Sequence, residues 1–251
     1  MKLTAEQVYE KLINDDKILT SKGRITFKLA DIDIIVKQKD VVGNIMQEWV
    51  QEWLEKNNVE YAPNDNTQMP PDFYLDPSDR KRSLLEIKAF NFESSPAFDI
   101  ADFRMYEHEV AEKPWMLDVS YLIFGYEMND NGDVTIKQVW LKKVWEITRA
   151  METTQNKHKI IMPINLQIKE GVVHKIRPAK WYGRQTKFPI FESMVDFLAA
   201  VEETVWQNDD THKDFASWRQ TLIANYQKFY GKELSFPRWE EIKDKYIPKK
   251  K

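Results

Sequence analysis

The stretch that most constrains what this chain can fold into runs from Pro70 to Phe92, where Pro71-Asp72 is followed fourteen residues later by Glu86-Ile87-Lys88. Two apolar runs, Phe73 to Leu75 and Leu84 to Phe90, flank a polar insert beginning Asp76-Pro77-Ser78-Asp79, and that punctuation predicts a β-hairpin over about 70–92. Side chains alternate across a strand, so Glu86 and Lys88 share one face while Leu85, Ile87 and Ala89 point to the other. If the turn closes with Leu75 opposite Ser83, antiparallel pairing keeps the sum of residue numbers constant and sets Asp72 opposite Glu86. Two carboxylates and one ammonium then converge on one face.

Charges packed against apolar strands lose hydration that only a partner can replace. Asp72, Glu86 and the backbone carbonyl of Ile87 form an oxygen set suited to Mg²⁺, a hard ion that keeps several waters and prefers sites completed by substrate phosphate. Lys88 is then placed to orient or deprotonate an attacking water and to offset charge on phosphoryl oxygens. The chemistry implied is metal-assisted hydrolysis of a phosphodiester. The competing reading is a surface hairpin whose Asp, Glu and Lys are plain solvated charges.

With 251 residues the chain can bury a full core, and we expect a single mixed α+β domain over residues 1–251. Its lack of cysteine excludes disulfides, thiolate zinc sites and thiol catalysis, and four scattered histidines build no His-rich metal site. A net charge of −3 with 31% charged residues does not suit a nonspecific DNA coat, so a DNA-binding surface must be supplied locally. That supply is found in Arg177 to Lys187, which carries four positive charges, no negative ones, two aromatics and a glycine. The N-terminus lacks the apolar region of a signal peptide and no run reaches the length of a membrane span, which predicts a cytoplasmic protein without membrane contact.

Elsewhere periodicity sets the expected elements. Residues 4–18 read as an amphipathic helix with a Thr4/Gln7 capping box, and 24–37 as extended structure in which Asp31 and Asp33 share an exposed strand face. From Asp40 to Asn58, Val42, Ile45, Met46, Trp49, Val50 and Trp53 fall at helical spacing. A helix-like aromatic stretch covers Phe98 to Val110, with His108 at its surface. A long hairpin over 117–141 turns at Asn129-Asp130-Asn131-Gly132, a short helix covers about 142–152, and a second hairpin over 160–176 turns at Glu170-Gly171. The C-terminal part, about 193–251, is helical: 193–208 begins at Ser193, 215–230 ends at Gly231, and a short helix precedes Lys249-Lys250-Lys251, an end that either touches DNA backbone or is disordered.

Pro71-Asp72…Glu86-Ile87-Lys88 resembles the PD-(D/E)xK motif of the nuclease superfamily that includes many type II restriction endonucleases. Gln68-Met69-Pro70-Pro71-Asp72-Phe73 resembles the start of the hairpin in EcoRV-like and HincII-like enzymes. Lys187-Phe188-Pro189-Ile190-Phe191-Glu192-Ser193, leading into Phe197-Leu198, is similar to the segment before a late helix of the EcoRV-like enzymes, and Val41–Trp53 resembles the NgoBV-like restriction enzymes. The resemblance implies a restriction-endonuclease-like core, a mixed sheet flanked by helices, and Mg²⁺-dependent, site-specific cutting of double-stranded DNA. In that scheme Asp72, Glu86 and the Ile87 carbonyl hold the metal and Lys88 activates water or supports the transition state. It also implies a homodimer matched to a palindromic site, and a cognate DNA methyltransferase expected genetically, not as a bound subunit.

Other roles follow the same resemblance. The helix before the hairpin contributes a further acidic ligand in related nucleases, here Glu48 or Glu52, unless both are solvated helix charges. Asn66 and Gln68 lie on a loop that approaches the minor groove in the EcoRV-like enzymes, or form an ordinary turn, and Asn91 with Ser94 and Ser95 is placed to meet phosphate. The basic segment 177–187 occupies the place of the recognition loop, with Arg177, Lys180, Trp181, Tyr182, Arg184, Gln185 and Lys187 as DNA contacts, against the alternative of a solvated loop. Two rival functions share these features: a structure-selective or repair nuclease with the same hairpin, and a DNA-binding protein without catalysis.

Overall fold

A computed structural model describes residues 1–66, 69–155, 158–184 and 187–248. Helix α1 (Ala5–Glu10) is followed by short strands β1 (Lys22–Arg24), β2 (Thr26–Leu29) and β3 (Ile32–Ile35), then by α2 (Val41–Lys56). Strands β4 (Ala62–Pro63), β5 (Phe73–Tyr74) and β6 (Leu84–Asn91) precede β7 (Ala101–Asp102) and α3 (Phe103–Glu112). The long pair β8 (Ser120–Met128) and β9 (Asp133–Lys142) comes next, then β10 (Met151–Gln155), β11 (His158–Met162), β12 (Leu166–Lys169) and β13 (Val172–Ile176). Helices α4 (Met194–Gln207), α5 (Phe215–Tyr230) and α6 (Trp239–Tyr246) complete the chain. These elements divide into two compact units, one of Met1–Asp65, Pro71–Phe98 and Val119–Lys142, the other of Asn66–Pro70, Asp99–Asp118 and Lys143–Lys251.

The first unit is built on a six-stranded mixed sheet ordered β1-β9-β8-β6-β5-β4, in which only β6 and β8 run parallel. Antiparallel neighbours can be joined by tight turns, whereas a parallel pair needs a long crossover. Here that crossover leaves the unit after Phe98 and returns at Val119. Val42, Met46, Val50, Trp53 and Leu54 of α2 join Val8 and Leu12 in one core with Leu85, Ile87, Leu122 and Phe124 of the sheet. Each fully buried side chain of this kind contributes roughly 1.5–3 kcal/mol relative to exposure. At the β8–β9 tip Gly132 has φ +82°, and a Cβ there would fall 2.4 Å from Ile35 Cγ2, so the position needs glycine.

Strands β2 and β3 form a separate two-stranded hairpin, pairing Phe27 with Ile34 and Leu29 with Ile32. Those four side chains share one face and are 50–69% exposed. Asp31 lies in the connecting turn, away from any strand face it would share with Asp33, and Asp33 pairs across to Lys28 at 3.8 Å.

In the second unit, β12-β13-β7 form a three-stranded sheet and β10-β11 a hairpin. The Asp102 carboxylate accepts the Arg104 and Met105 backbone N–H groups, so α3 starts at Phe103 and not at Phe98. Ser193 caps α4 by accepting the Asp196 N–H at 3.3 Å, and Gly231, at φ +65°, ends α5. Buried Glu202 of α4 is held by both Arg219 of α5 and Arg238.

Three further expected elements differ. The helix read over 4–18 is α-helical only to Glu10. It widens to a π turn over Lys11–Asp15, closed by the Asp16 N–H on the Lys11 carbonyl at 3.0 Å, and goes no further, Asp15 and Asp16 putting unfavourable negative charge at the helix C-terminus. The short helix over 142–152 is one 3₁₀ turn at Val144–Ile147, after which β-branched Thr148, in extended conformation, leads into β10. The strand read from Ile160 to Lys169 is two strands in different sheets, parted at Pro163, which has no N–H for a ladder.

Candidate active site and nucleic-acid interface

Phe73 faces Leu85 and Tyr74 faces Leu84, and the Leu75 N–H donates to the Ser83 carbonyl at 2.9 Å. This is the register in which Asp72 stands across from Glu86. Regular pairing stops at Phe73, and the Asp72 carboxylate continues the ladder by accepting the Ile87 N–H at 2.7 Å through Oδ2. At the other end, Asp76 accepts from Ser78 N–H at 3.1 Å and pairs with Lys2 at 2.7 Å, which fixes the turn.

Lys88 Nζ lies 2.6 Å from Glu86 Oε1, and Glu86 is only 4% exposed. Burial pushes the Glu86 carboxyl up to about 7, Lys88 opposing that rise and the Asp72 carboxylate adding to it. Burial also raises Asp72, against the pull of Lys88 and of the Ile87 N–H. Glu86 Oε2 is sealed from solvent without a hydrogen-bond partner, a costly state for a carboxylate oxygen. An oxygen-seeking divalent cation on Asp72 and Glu86 would remove that cost, and two carboxylates suit an ion that keeps several of its waters.

Among the described residues no three His, Cys, Asp or Glu side chains gather as a metal cluster, and both Glu48 and Glu52 are exposed on α2. The apolar stripe of α2 takes its inward face, which leaves both carboxylates on the solvent side.

Asn91 ends β6 with its Oδ1 accepting the Glu93 N–H at 3.1 Å, so its side chain shapes the turn after the strand. Asn66 is exposed, while Gln68, Gln185 and Lys249 to Lys251 lie outside the described residues. In the basic segment, Arg177 pairs with Asp99, and Lys187 with Glu152 at 3.0 Å. Lys180 Nζ sits 5.2 Å from the ring centre of Tyr182, whose own ring meets Trp181 edge-on at 5.5 Å, and Arg184 is exposed. Two of the four cations are thus already neutralised by acids.

The base of this segment is clamped by residues that periodicity did not single out. Ala179 N–H donates to the Ile147 carbonyl at 2.7 Å, Phe191 N–H to the Thr148 carbonyl at 3.2 Å, and Arg149 bridges Ile190. Asn165 joins the same knot, its N–H on the Arg149 carbonyl, its carbonyl accepting the Arg177 N–H, and its amide on the Pro178 carbonyl at 3.1 Å. Reading 142–152 as a helix hid Arg149; the signal was a lone cation inside the run Ile147-Thr148-Arg149-Ala150, whose β-branched residues favour extended chain.

The fold is that of a restriction endonuclease: the solved NlaIV restriction endonuclease superposes on 99% of this chain and 98% of its own at TM-score 0.93 and 54% identity. The type II restriction enzyme NlaIV of Neisseria lactamica is 55% identical over 250 residues, 99% of this chain and 100% of that protein. The type II restriction enzyme NgoBV of Neisseria gonorrhoeae is 56% identical over 152 residues, 61% of this chain and 86% of that protein. The chain belongs to the NgoBV restriction endonuclease family, whose model matches residues 2–246. It is an endonuclease of the type II restriction class, a hydrolase. No helix among the described residues is long and apolar enough to cross a membrane.

Proposed function

We propose that this endonuclease hydrolyses phosphodiester bonds at a specific site in double-stranded DNA with Mg²⁺ as cofactor, and that Asp72, Glu86 and Lys88 carry the chemistry. The observation behind this reading is the sealed, unpartnered Glu86 Oε2 beside Asp72 and Lys88. Asp72 and Glu86, with the Ile87 carbonyl, hold the cation, which when bound supplies Lewis-acid polarisation of the phosphate and a more acidic water. Asp72 is oriented by the Ile87 N–H, and burial keeps water from competing for Glu86. Lys88, close to Glu86, holds its ammonium where the phosphoryl oxygens gain charge and where an attacking water needs orienting. The segment 177–187 provides DNA contacts, Arg184 and Lys180 foremost since Arg177 and Lys187 have acidic partners.

The working unit is a homodimer acting on a palindromic site in the cytoplasm, where a cognate methyltransferase protects host DNA. Support for the dimer comes from the β2–β3 hairpin, whose apolar face of Phe27, Leu29, Ile32 and Ile34 lies open. An isolated two-stranded hairpin is marginal in water, and a contiguous apolar patch of a few hundred Å² marks an interaction surface. Asp31 and Asp33 outnumber Lys28 there, a balance that suits protein better than phosphate.

Digestion of a sequenced plasmid with Mg²⁺ tests the reading. Defined fragments are expected from the unaltered protein, and Lys88→Ala should bind DNA but not cut it. Cleavage confined to junctions or damaged bases would replace site-specific restriction by repair, and undiminished cutting by Lys88→Ala would remove the assignment.

A further inference from the structure

Arg149 is a half-buried cation for which the catalytic hairpin has no use. Its backbone is fixed on both sides, by the Asn165 N–H on its carbonyl at 2.7 Å and by its bridge to Ile190. Its neighbours Thr148 and Ala150 are fully buried, so the side chain rises from rigid ground at the base of the segment 177–187. Nε is sealed from solvent without a hydrogen-bond partner, and no carboxylate among the described residues forms an ion pair with the guanidinium. Burial alone pulls its pKa below the ordinary arginine value.

A half-buried guanidinium with no acid beside it keeps a donor fork for a ligand. With Nε enclosed, the Nη1/Nη2 end is the part of the planar fork left to meet a ligand. DNA offers two acceptor sets for that fork, phosphate oxygens and the O6/N7 edge of guanine. Phosphate contacts are well served by exposed surface cations such as Lys180 and Arg184. A fork held by rigid backbone at the foot of the loop suits an edge whose two acceptors must be met at fixed spacing.

We propose that Arg149 is a specificity residue that reads guanine bidentately in the major groove. The inference rests on the reading of this chain as a site-specific DNA endonuclease and extends it to a base and a residue outside the basic segment.

The test compares wild type with Arg149→Lys, which keeps charge and stem, and Arg149→Met, which keeps only the stem. After the site is mapped on plasmid DNA, kcat/KM is measured on a cognate duplex, on duplexes with each G·C pair replaced in turn, and with a non-cognate duplex as competitor. Both variants should melt like wild type and bind the competitor with an inhibition constant within about twofold for Arg149→Lys. Cognate kcat/KM should fall about 5- to 150-fold, the worth of one bidentate contact, and discrimination should be relaxed at one G·C pair. Unchanged discrimination in both variants would overturn the proposal. So would an equal loss on cognate and non-cognate DNA with the salt slope reduced by about one, the mark of a phosphate contact. A variant that melts early while keeping wild-type discrimination in its folded fraction would show a structural role only, and also overturns it. If wild type itself cuts without sequence preference, the underlying reading fails, and that outcome is separate from those of the variants.

Discussion

Replacing Glu107 by Gln should stabilise the protein above neutral pH. Glu107 lies on α3 at 3% exposure, its Oε2 has no hydrogen-bond partner, and the Trp218 indole N–H is engaged with its backbone carbonyl at 2.9 Å. Burial, reinforced by the nearby Asp214 carboxylate, pushes this carboxyl from 4.5 to about 8. A raised folded-state pKa means that the folded form holds its proton after the unfolded form has released it. The stability this confers is full below pH 4.5 and declines as pH rises, until it is lost at about pH 8. Over that interval, at about 1.4 kcal/mol per pH unit, the ceiling is about 5 kcal/mol, and relaxation and water entry should reduce it to about 2–4 kcal/mol. Gln keeps the shape without a proton to lose, so the difference between variant and wild type should grow in favour of Gln between pH 5 and 8.5, then level off. Urea unfolding followed by tryptophan fluorescence measures it, since titrations common to both proteins cancel in the difference. A difference that stays constant across this range would refute the reasoning.

Asp72→Asn should leave the fold intact, because an amide oxygen can still accept the Ile87 N–H, yet lower kcat about a thousandfold or more through loss of a charged ligand worth several kcal/mol; initial rates on plasmid DNA decide it. Gly132→Ala should cost about 1–3 kcal/mol in denaturant unfolding, since a side chain there meets both a positive φ and Ile35. Changing Leu29 and Ile32 together to Ser should lower the sedimentation coefficient of the native particle to that of one chain without changing its far-UV circular dichroism; an unaltered dimer would remove the apolar hairpin from the interface. Asn165→Ala keeps the backbone carbonyl that accepts the Arg177 N–H but removes the side-chain amide on the Pro178 carbonyl, so hydrogen exchange should rise locally over Arg177 to Ala179, measured amide by amide.

The hairpin that carries Asp72 and Glu86 was readable because strand alternation has a period of two and antiparallel pairing fixes a sum, so Leu75 opposite Ser83 sets the facing of the two carboxylates. Helices α2 and α5 were readable for a similar local reason, an unbroken apolar stripe in one and a terminal glycine in the other. What escaped depends on partners remote in sequence. Arg149 is extended because Ile190 bridges it, and Ile160 belongs with Thr153 instead of the next hairpin because β10 pairs with β11. Periodicity also placed Glu52 near the apolar border of α2, but only the packed sheet decides which side of that border reaches solvent. Nor does composition reveal that Arg177 and Lys187 meet Asp99 and Glu152, residues far from them along the chain.

The parallel neighbour of the catalytic strand is separated from it by the excursion through β7 and α3, and β1 waits for β9 more than a hundred residues later, Lys22 facing Thr135. Closing such distant pairs is slow, and an exposed strand edge invites association in the meantime. During synthesis the Asp72–Glu86–Lys88 trio is therefore translated before β8 and β9, and a nascent or prematurely terminated chain ending before β9 holds these side chains without the completed sheet around them. A copy halted there offers an unpaired sheet edge instead of a finished sheet, which makes the unfinished chain the one most open to association.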